Sequence, residues 1–198
     1  MNLRTGIFGG TFNPIHCGHV GLSEWLVREG WVDEVWWMVS PQNPFKRNMQ
    51  LLDERQRLEM AKLAAEGRPD LKVSDFEFSL PRPSYTWFTL QALRAAYPER
   101  TFSLIIGADN WAHFRQWVRP DEIMAHHQIL VYPRAGFPLR QDEMPSGVQG
   151  VNAPLLTVSS TQIRRMIRDG EDVSALLPAQ VFAYIKAHGL YSSDARKA

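Results

Sequence analysis

One cysteine, Cys17, stands in 198 residues. A lone thiol excludes an internal disulfide and fits a reducing compartment. It also leaves zinc weakly supported, since a structural site needs four ligands at recognisable spacing and His16, Cys17 and His19 make three. Blocks of one charge are missing: 22 Lys and Arg against 21 Asp and Glu give a net charge of +1. Nothing there points to nucleic acid or to an anionic membrane surface. Long apolar runs are missing too, the longest falling far short of the roughly 18 residues that span a bilayer. No signal peptide is visible, because Arg4 is followed only by Ile7-Phe8 before a glycine pair. Internal repeats and low-complexity segments are absent. So are the two most familiar glycine signatures for nucleotides, G-x-x-x-x-G-K-[ST] and G-x-G-x-x-G with its downstream acid. The expectation is a soluble cytoplasmic protein of one domain, or one domain with a small subdomain, with 44% apolar residues to build a core.

What is present gathers near the front. Gly9-Gly10-Thr11-Phe12-Asn13-Pro14-Ile15-His16-Cys17-Gly18-His19 follows an apolar run and precedes an amphipathic segment, so it reads as strand, glycine turn and helix. Two glycines let the backbone approach a ligand without Cβ interference. His16 and His19 fall at or just before the helix start, where unpaired N–H groups and the dipole attract anions. Their rings add hydrogen-bond donors aimed at the same place. Turn, donors and dipole converge on a phosphate cradle; a glycine hairpin with two ordinary histidines is the alternative.

The rest of the chain alternates strands and helices. Leu3–Phe8 opens as a strand, Gly18–Glu29 carries Leu22, Trp25 and Leu26 on one helical stripe, and Val32–Val39 reads as a buried strand. This is one βαβ unit, so the first two strands should be parallel. Ser40–Met49 is a loop at the carboxyl end of the second strand, where α/β sheets bind ligands, and its Lys46 and Arg47 either reach phosphates or are simply solvated. Asp53 with Gln56 caps the next helix. Leu71–Phe78 reads as a third strand, and Ser84-Tyr85-Thr86 opens a helix with Leu90, Leu93 and Tyr97 on its stripe. Thr101–Gly107 is the clearest central strand and ends in Gly107-Ala108-Asp109. An acid there suits a ribose hydroxyl, or an N-cap, or both. Trp111, Phe114 and Trp117, taken alone, fit core packing. Gln128–Tyr132 is another strand, Pro133–Pro154 a long surface loop, and Leu155–Val158 the last strand. Ser159-Ser160-Thr161 then begins a helix with Arg164 one turn in, either a second phosphate turn or a capping run with a surface arginine. Pro178 starts the final helix and Gly189 ends it.

The front stretch resembles the G-G-[ST]-F-[DN]-P-x-H-x-G-H signature of the nucleotidyltransferase superfamily with an H-x-G-H element. Within it the chain is most similar to the nicotinate-nucleotide adenylyltransferases, from about Gly6 to Tyr191. The family's commonest residue at position 13 is Asp; Asn13 removes a charge but keeps the turn-forming hydrogen bond. Ser84-Tyr85-Thr86 resembles the family's S-Y-T element, which contacts the pyridine nucleotide. Trp87 and Phe88 either line the nicotinate pocket or fill the core. Ile105-Ile106-Gly107-x-Asp109 with Phe114 and Trp117 resembles I-I-G-x-D-x-x-x-x-F-x-x-W, which implies that Trp117 stacks on the nicotinate ring. Val158 to Arg164 resembles the [IV]-S-[AS]-T-x-[IL]-R element that holds ATP phosphates, and a loose P-x-x-x-P-x-K match favours Lys46 over Arg47.

The resemblance implies a doubly wound α/β domain over residues 1–191, with a mainly parallel, Rossmann-like sheet, a small helical part from about 159 to 191, and a tail at 192–198. It implies adenylyl transfer from ATP to nicotinate mononucleotide, with Mg²⁺ held mainly by the ATP phosphates and no protein metal cage. His16, His19, Lys46 and Arg164 are the catalytic candidates. Gly9, Gly10, Thr11, Phe12, Gly18, Gly107, Asp109, Ser159, Ser160 and Thr161 are expected on ATP; Asn43, Tyr85, Thr86 and Trp117 on the mononucleotide. Nucleic acid and membrane are not expected partners, and a homo-oligomer stays open. The rival readings are another acceptor on the same fold, such as phosphopantetheine or nicotinamide mononucleotide, and a non-catalytic nucleotide sensor.

Overall fold

Residues 2–42, 51–155 and 157–192 are described by a computed structural model. Its strands are β1 (Leu3–Gly10), β2 (Glu34–Val39), β3 (Leu71–Ser74), β4 (Arg100–Gly107), β5 (Gln128–Tyr132) and β6 (Val148–Gly150). They form one sheet in the order β3-β2-β1-β4-β5-β6, and every neighbouring pair is parallel. The helices are α1 (Cys17–Arg28), α2 (Glu54–Ala65), α3 (Thr86–Ala96), α4 (Ala108–Ala112), α5 (Pro120–His126), α6 (Ser160–Arg168) and α7 (Ala179–Ala187).

Alternation along each strand divides the core in two. Phe8, Trp37, Ile105 and Leu130 pack on one face with Leu26 of α1, Met60 of α2, Ile163 of α6 and Val181 of α7. Ile7, Met38, Leu104 and Val131 pack on the other with Leu90 and Leu93 of α3 and Ile123 of α5. A sheet covered on both faces needs apolar side chains at successive positions, which is why the strands read as unbroken apolar runs. The sheet is doubly wound, as expected. Strand order reverses between β1 and β4, and a crevice opens at their carboxyl ends.

Two strand expectations are corrected. β3 stops at Ser74, and Phe76–Ser79 forms a single 3-10 turn, with the N–H of Phe76 donating to Ser74 Oγ at 3.2 Å. The sixth strand lies inside the expected long loop: buried Val148 pairs with Ile129, and the Val151 N–H donates to Val131 O at 2.9 Å. The described residues of 155–158 carry no strand, and Leu155 faces solvent. Asp53 does cap α2, by accepting the N–H of Arg55 rather than through a pairing with Gln56.

Candidate active site

β1 runs into Gly9-Gly10-Thr11, and α1 begins after His16. Between them Phe12 adopts φ 44°, in the left-handed region that bulky side chains avoid. Burial holds it there: its ring lies 6.0 Å from Phe8 and meets His19 edge-on at 5.1 Å. His19 Nδ1 accepts the backbone N–H of His16 at 3.2 Å. In the neutral ring the proton therefore sits on Nε2, making His19 a donor on the cavity wall.

His16 is placed differently from expectation. Its ring is 3% exposed and stacks beneath His19 at 3.7 Å, away from the cavity wall. Burial first, and the charge of Arg134 second, push its pKa down to about 3. The ring packs against His19 and does not itself line the cavity. Gly18 is likewise off the wall. A Cβ there would lie 2.9 Å from Val158 Cγ1 and 3.0 Å from His16 Nδ1, so this glycine admits close packing behind the turn.

Two clamps hold the turn. Arg57 of α2, 1% exposed, donates to Thr11 O at 2.7 Å, Ser40 O at 2.8 Å, Leu52 O at 2.9 Å and Pro41 O at 3.3 Å. One guanidinium thus ties the ends of β1 and β2 to the start of α2. The second clamp comes from α6 and from Tyr191, beyond α7. Ser160 Oγ donates to Pro14 O at 2.9 Å, and Arg164 Nη1 to Asn13 O at 2.7 Å. Arg164 Nη2 reaches Thr161 Oγ1 at 3.3 Å, Ser159 Oγ accepts the N–H of Gln162 at 3.2 Å, and Tyr191 donates to Asn13 Oδ1 at 2.7 Å. Ser159, Ser160, Thr161 and Arg164, all expected on phosphates, stand beside the first turn and not on the cavity wall. Asn13 is a buried hub for both clamping residues, Arg164 and Tyr191.

The cavity fills the crevice between β1 and β4. Gly9, Gly10, Thr11, Phe12 and His19 form one end of it. Gly107 and Asp109 lie along it, and Tyr85, Thr86 and Trp117 line it too. Asp109 is the second residue of α4, not its cap, which is Gly107. Its buried Oδ1 has no hydrogen-bond partner and lies 3.7 Å from Arg134 Nε. A Cβ on Gly107 would collide with that carboxylate and come within 3.0 Å of Arg134 Cγ. Trp117 tilts against the buried Phe114 at 5.2 Å and keeps part of its surface on the cavity. Trp87 is core, whereas Phe88 is 50% exposed; neither lines the cavity. Asn43 and Lys46 lie outside the described residues. No group of three or more His, Cys, Asp or Glu that could hold a metal forms among the described residues.

The pattern of the cytidylyltransferase-like proteins matches residues 7–166. A protein named a probable nicotinate-nucleotide adenylyltransferase, from Bacteroides thetaiotaomicron, is 46% identical over 186 residues, covering 94% of this chain and 92% of the relative. The chain belongs to the nicotinate-nucleotide adenylyltransferase family. A protein of the same name from Flavobacterium johnsoniae is 39% identical over 191 residues, 96% of this chain and 99% of that one. The nicotinic acid mononucleotide adenylyltransferase of Plasmodium falciparum, complexed with NaAD, shares the fold. Its TM-score is 0.81 at 19% identity, over 96% of this chain and 97% of that one.

Three residues of this family member went unseen in the sequence. Arg57 carries the first clamp, Arg134 brings a cation to the cavity wall, and Glu77 brings a buried carboxyl to it. Arg134 follows the carboxyl end of β5 by two residues. That position, at the ligand edge of a parallel sheet, was its one available signal. Glu77 was hidden in an imperfectly alternating stretch read as strand, and Arg57 on an otherwise ordinary helix.

Proposed function

We propose that the chain joins ATP to nicotinate mononucleotide, giving deamido-NAD and pyrophosphate. The observation that carries this reading is one cavity that holds the His19 turn, Gly107 and Asp109, and Trp117 beside the start of α3. The mononucleotide phosphate attacks the α-phosphorus of ATP in line, and the bond to pyrophosphate breaks as the new oxygen–phosphorus bond forms. A phosphate monoester has a second pKa near 6, so it is largely dianionic at pH 7 and needs no protein base. Alignment and charge stabilisation then do the catalysis.

His19 donates from Nε2 to the oxygens at the reacting phosphorus, and Phe12 and His16 fix its ring. The backbone of Gly9, Gly10 and Thr11 lies along the phosphates. Arg134 supplies a cation, its charge already felt at His16, and Lys46 supplies another. Ser160 and Arg164 position the turn, with Ser159 capping α6 and Thr161 steadying the guanidinium, and Arg164 offers its remaining guanidinium N–H groups to phosphate. Asp109 Oδ1, which makes no hydrogen bond among the described residues, takes a ribose hydroxyl of ATP. Trp117 stacks on the pyridine ring. Free N–H groups at the start of α3, around Tyr85 and Thr86, take the nicotinate carboxylate, and Asn43 adds a contact to the same nucleotide. Mg²⁺ belongs to this reading, as an ion carried on phosphate oxygens and water rather than in a protein cage. When bound it neutralises charge on the departing pyrophosphate. The single cysteine accords with a cytoplasmic setting.

Pyrophosphate release from ATP, measured with nicotinate mononucleotide, nicotinamide mononucleotide and phosphopantetheine, tests the reading. An unpaired buried donor costs about 1–3 kcal/mol, so kcat/KM for the acid should exceed that for the amide by about tenfold or more. Release with phosphopantetheine alone, or nucleotide binding without any release, overturns it.

A further inference from the structure

Glu77 lines the cavity and has no part in the reaction described above. It sits in the 3-10 turn at Phe76–Ser79 and is 6% exposed. Its Oε1 accepts the Thr89 hydroxyl at 2.8 Å. Its Oε2 is fully buried beside the Ser84 and Ser40 hydroxyls and makes no hydrogen bond of good geometry among the described residues. Burial drives the carboxyl pKa up, and the hydroxyls of Thr89, Ser40 and Ser84 act against that; no described basic side chain does. A buried carboxylate is expensive to keep without a counter-charge. The ligand of this cavity can provide one.

Thr89 stands three residues beyond Thr86 on α3, so the carboxyl it holds lies about one helical turn from the N–H groups given above to the nicotinate carboxylate. Trp117 lines the same cavity. A pyridine ring with its carboxylate at the helix start and one face on Trp117 carries a full positive charge on the ring itself. Resting on the function proposed above, we propose that Glu77 is the counter-charge of this pyridinium. The Glu77 carboxyl stands in the wall of the cavity that takes the ring, and the pocket thereby selects a positively charged pyridine nucleotide over a neutral ring of the same shape.

Two acceptors test this on the full chain: nicotinate mononucleotide, and its isostere 3-carboxyphenyl C-riboside 5′-phosphate, where a neutral benzene ring replaces the pyridinium. In the unmodified protein kcat/KM should favour the pyridinium by about 10- to 100-fold, the scale of one partly desolvated charge pair. Stacking on Trp117 contributes some of that preference, so the decisive quantity is how far the ratio drops in Glu77→Gln. We expect a drop of about tenfold or more, with KM for ATP as the internal reference. An unchanged ratio, or equal losses with both acceptors as a ribose contact or a packing role would give, overturns the inference. If Glu77→Gln does not fold, Glu77→Asp withdraws the charge by one methylene; the ratio must fall there too, and a constant ratio overturns it. Absence of turnover with both acceptors in the unmodified protein defeats the proposed function and this inference with it; turnover with an unaltered ratio defeats this inference alone.

Discussion

Arg57→Met would keep the apolar volume of the side chain while removing every hydrogen bond of the first clamp. Three of the four bonds, to Thr11, Ser40 and Leu52, are 2.7–2.9 Å long, and the fourth, to Pro41, is 3.3 Å and weaker. Each buried carbonyl left without its donor costs about 1–3 kcal/mol. Against that, the folded state no longer dehydrates a guanidinium, which relieves several kcal/mol. We expect a net loss of about 2–4 kcal/mol, a large share of the roughly 5–15 kcal/mol that holds a typical domain. Arg57→Lys, which can serve only some of those carbonyls, should fall between. Because Thr11 and Ser40 directly follow β1 and β2 and line the cavity, the folded fraction of the variant should also show a raised KM for ATP. Urea unfolding and pyrophosphate-release kinetics below the transition separate the two effects. Stability within about 0.5 kcal/mol of the parent, together with an unaltered KM, would show that the carbonyls find other partners and that the clamp does not shape the turn.

His19→Ala should lower kcat by about 10²-fold or more, the loss of one preorganised donor to the reacting centre, with little change in ATP binding by calorimetry; full activity would remove His19 from the mechanism. Trp117→Ala should raise KM for the mononucleotide by about 5- to 150-fold, the equivalent of roughly 1–3 kcal/mol of ring stacking, and leave that for ATP nearly constant; unfolding with no selective effect would make it a core residue. The pH dependence of stability carries the signature of His16. Its pKa is about 3 in the fold against 6.5 ordinarily, so the unfolded chain takes up a proton that the fold refuses. Its contribution is complete above pH 6.5 and is lost as pH falls toward 3, by up to about 1.4 kcal/mol per pH unit. His16→Gln should flatten the curve between pH 6 and 4, measured by urea unfolding at each pH, and parallel curves would refute the assignment.

Much of this was legible in the residues because the physics was local. A strand buried on both faces cannot hide its composition, so β2 and β4 were plain, and a glycine-then-acid at the end of β4 marked the crevice. β6 was not legible, since three residues acquire strand geometry only by pairing with β5. Phe76 and Phe78 looked like continuing strand, yet the chain turns after Ser74. Motif spacing located His16 and Arg164 but not the direction of their side chains, which packing turned toward His19 and Asn13. Arg57, Glu77 and Arg134 belong to no cluster in the chain. Their partners are carbonyls, hydroxyls or a carboxylate on other elements, and such pairings leave no period to read.

The second clamp has a consequence for how the protein is made. Tyr191 lies 178 residues after Asn13, and Arg164 lies 151 after it. At roughly 5–20 residues per second, something like 10–35 s separates synthesis of the His19 turn from that of the last residue that fastens it. In that interval β1 and β2 can pair and Arg57 can close, because those contacts need only the first third of the chain. The His19 turn is thus incompletely fastened through most of synthesis, and its last tether arrives with Tyr191.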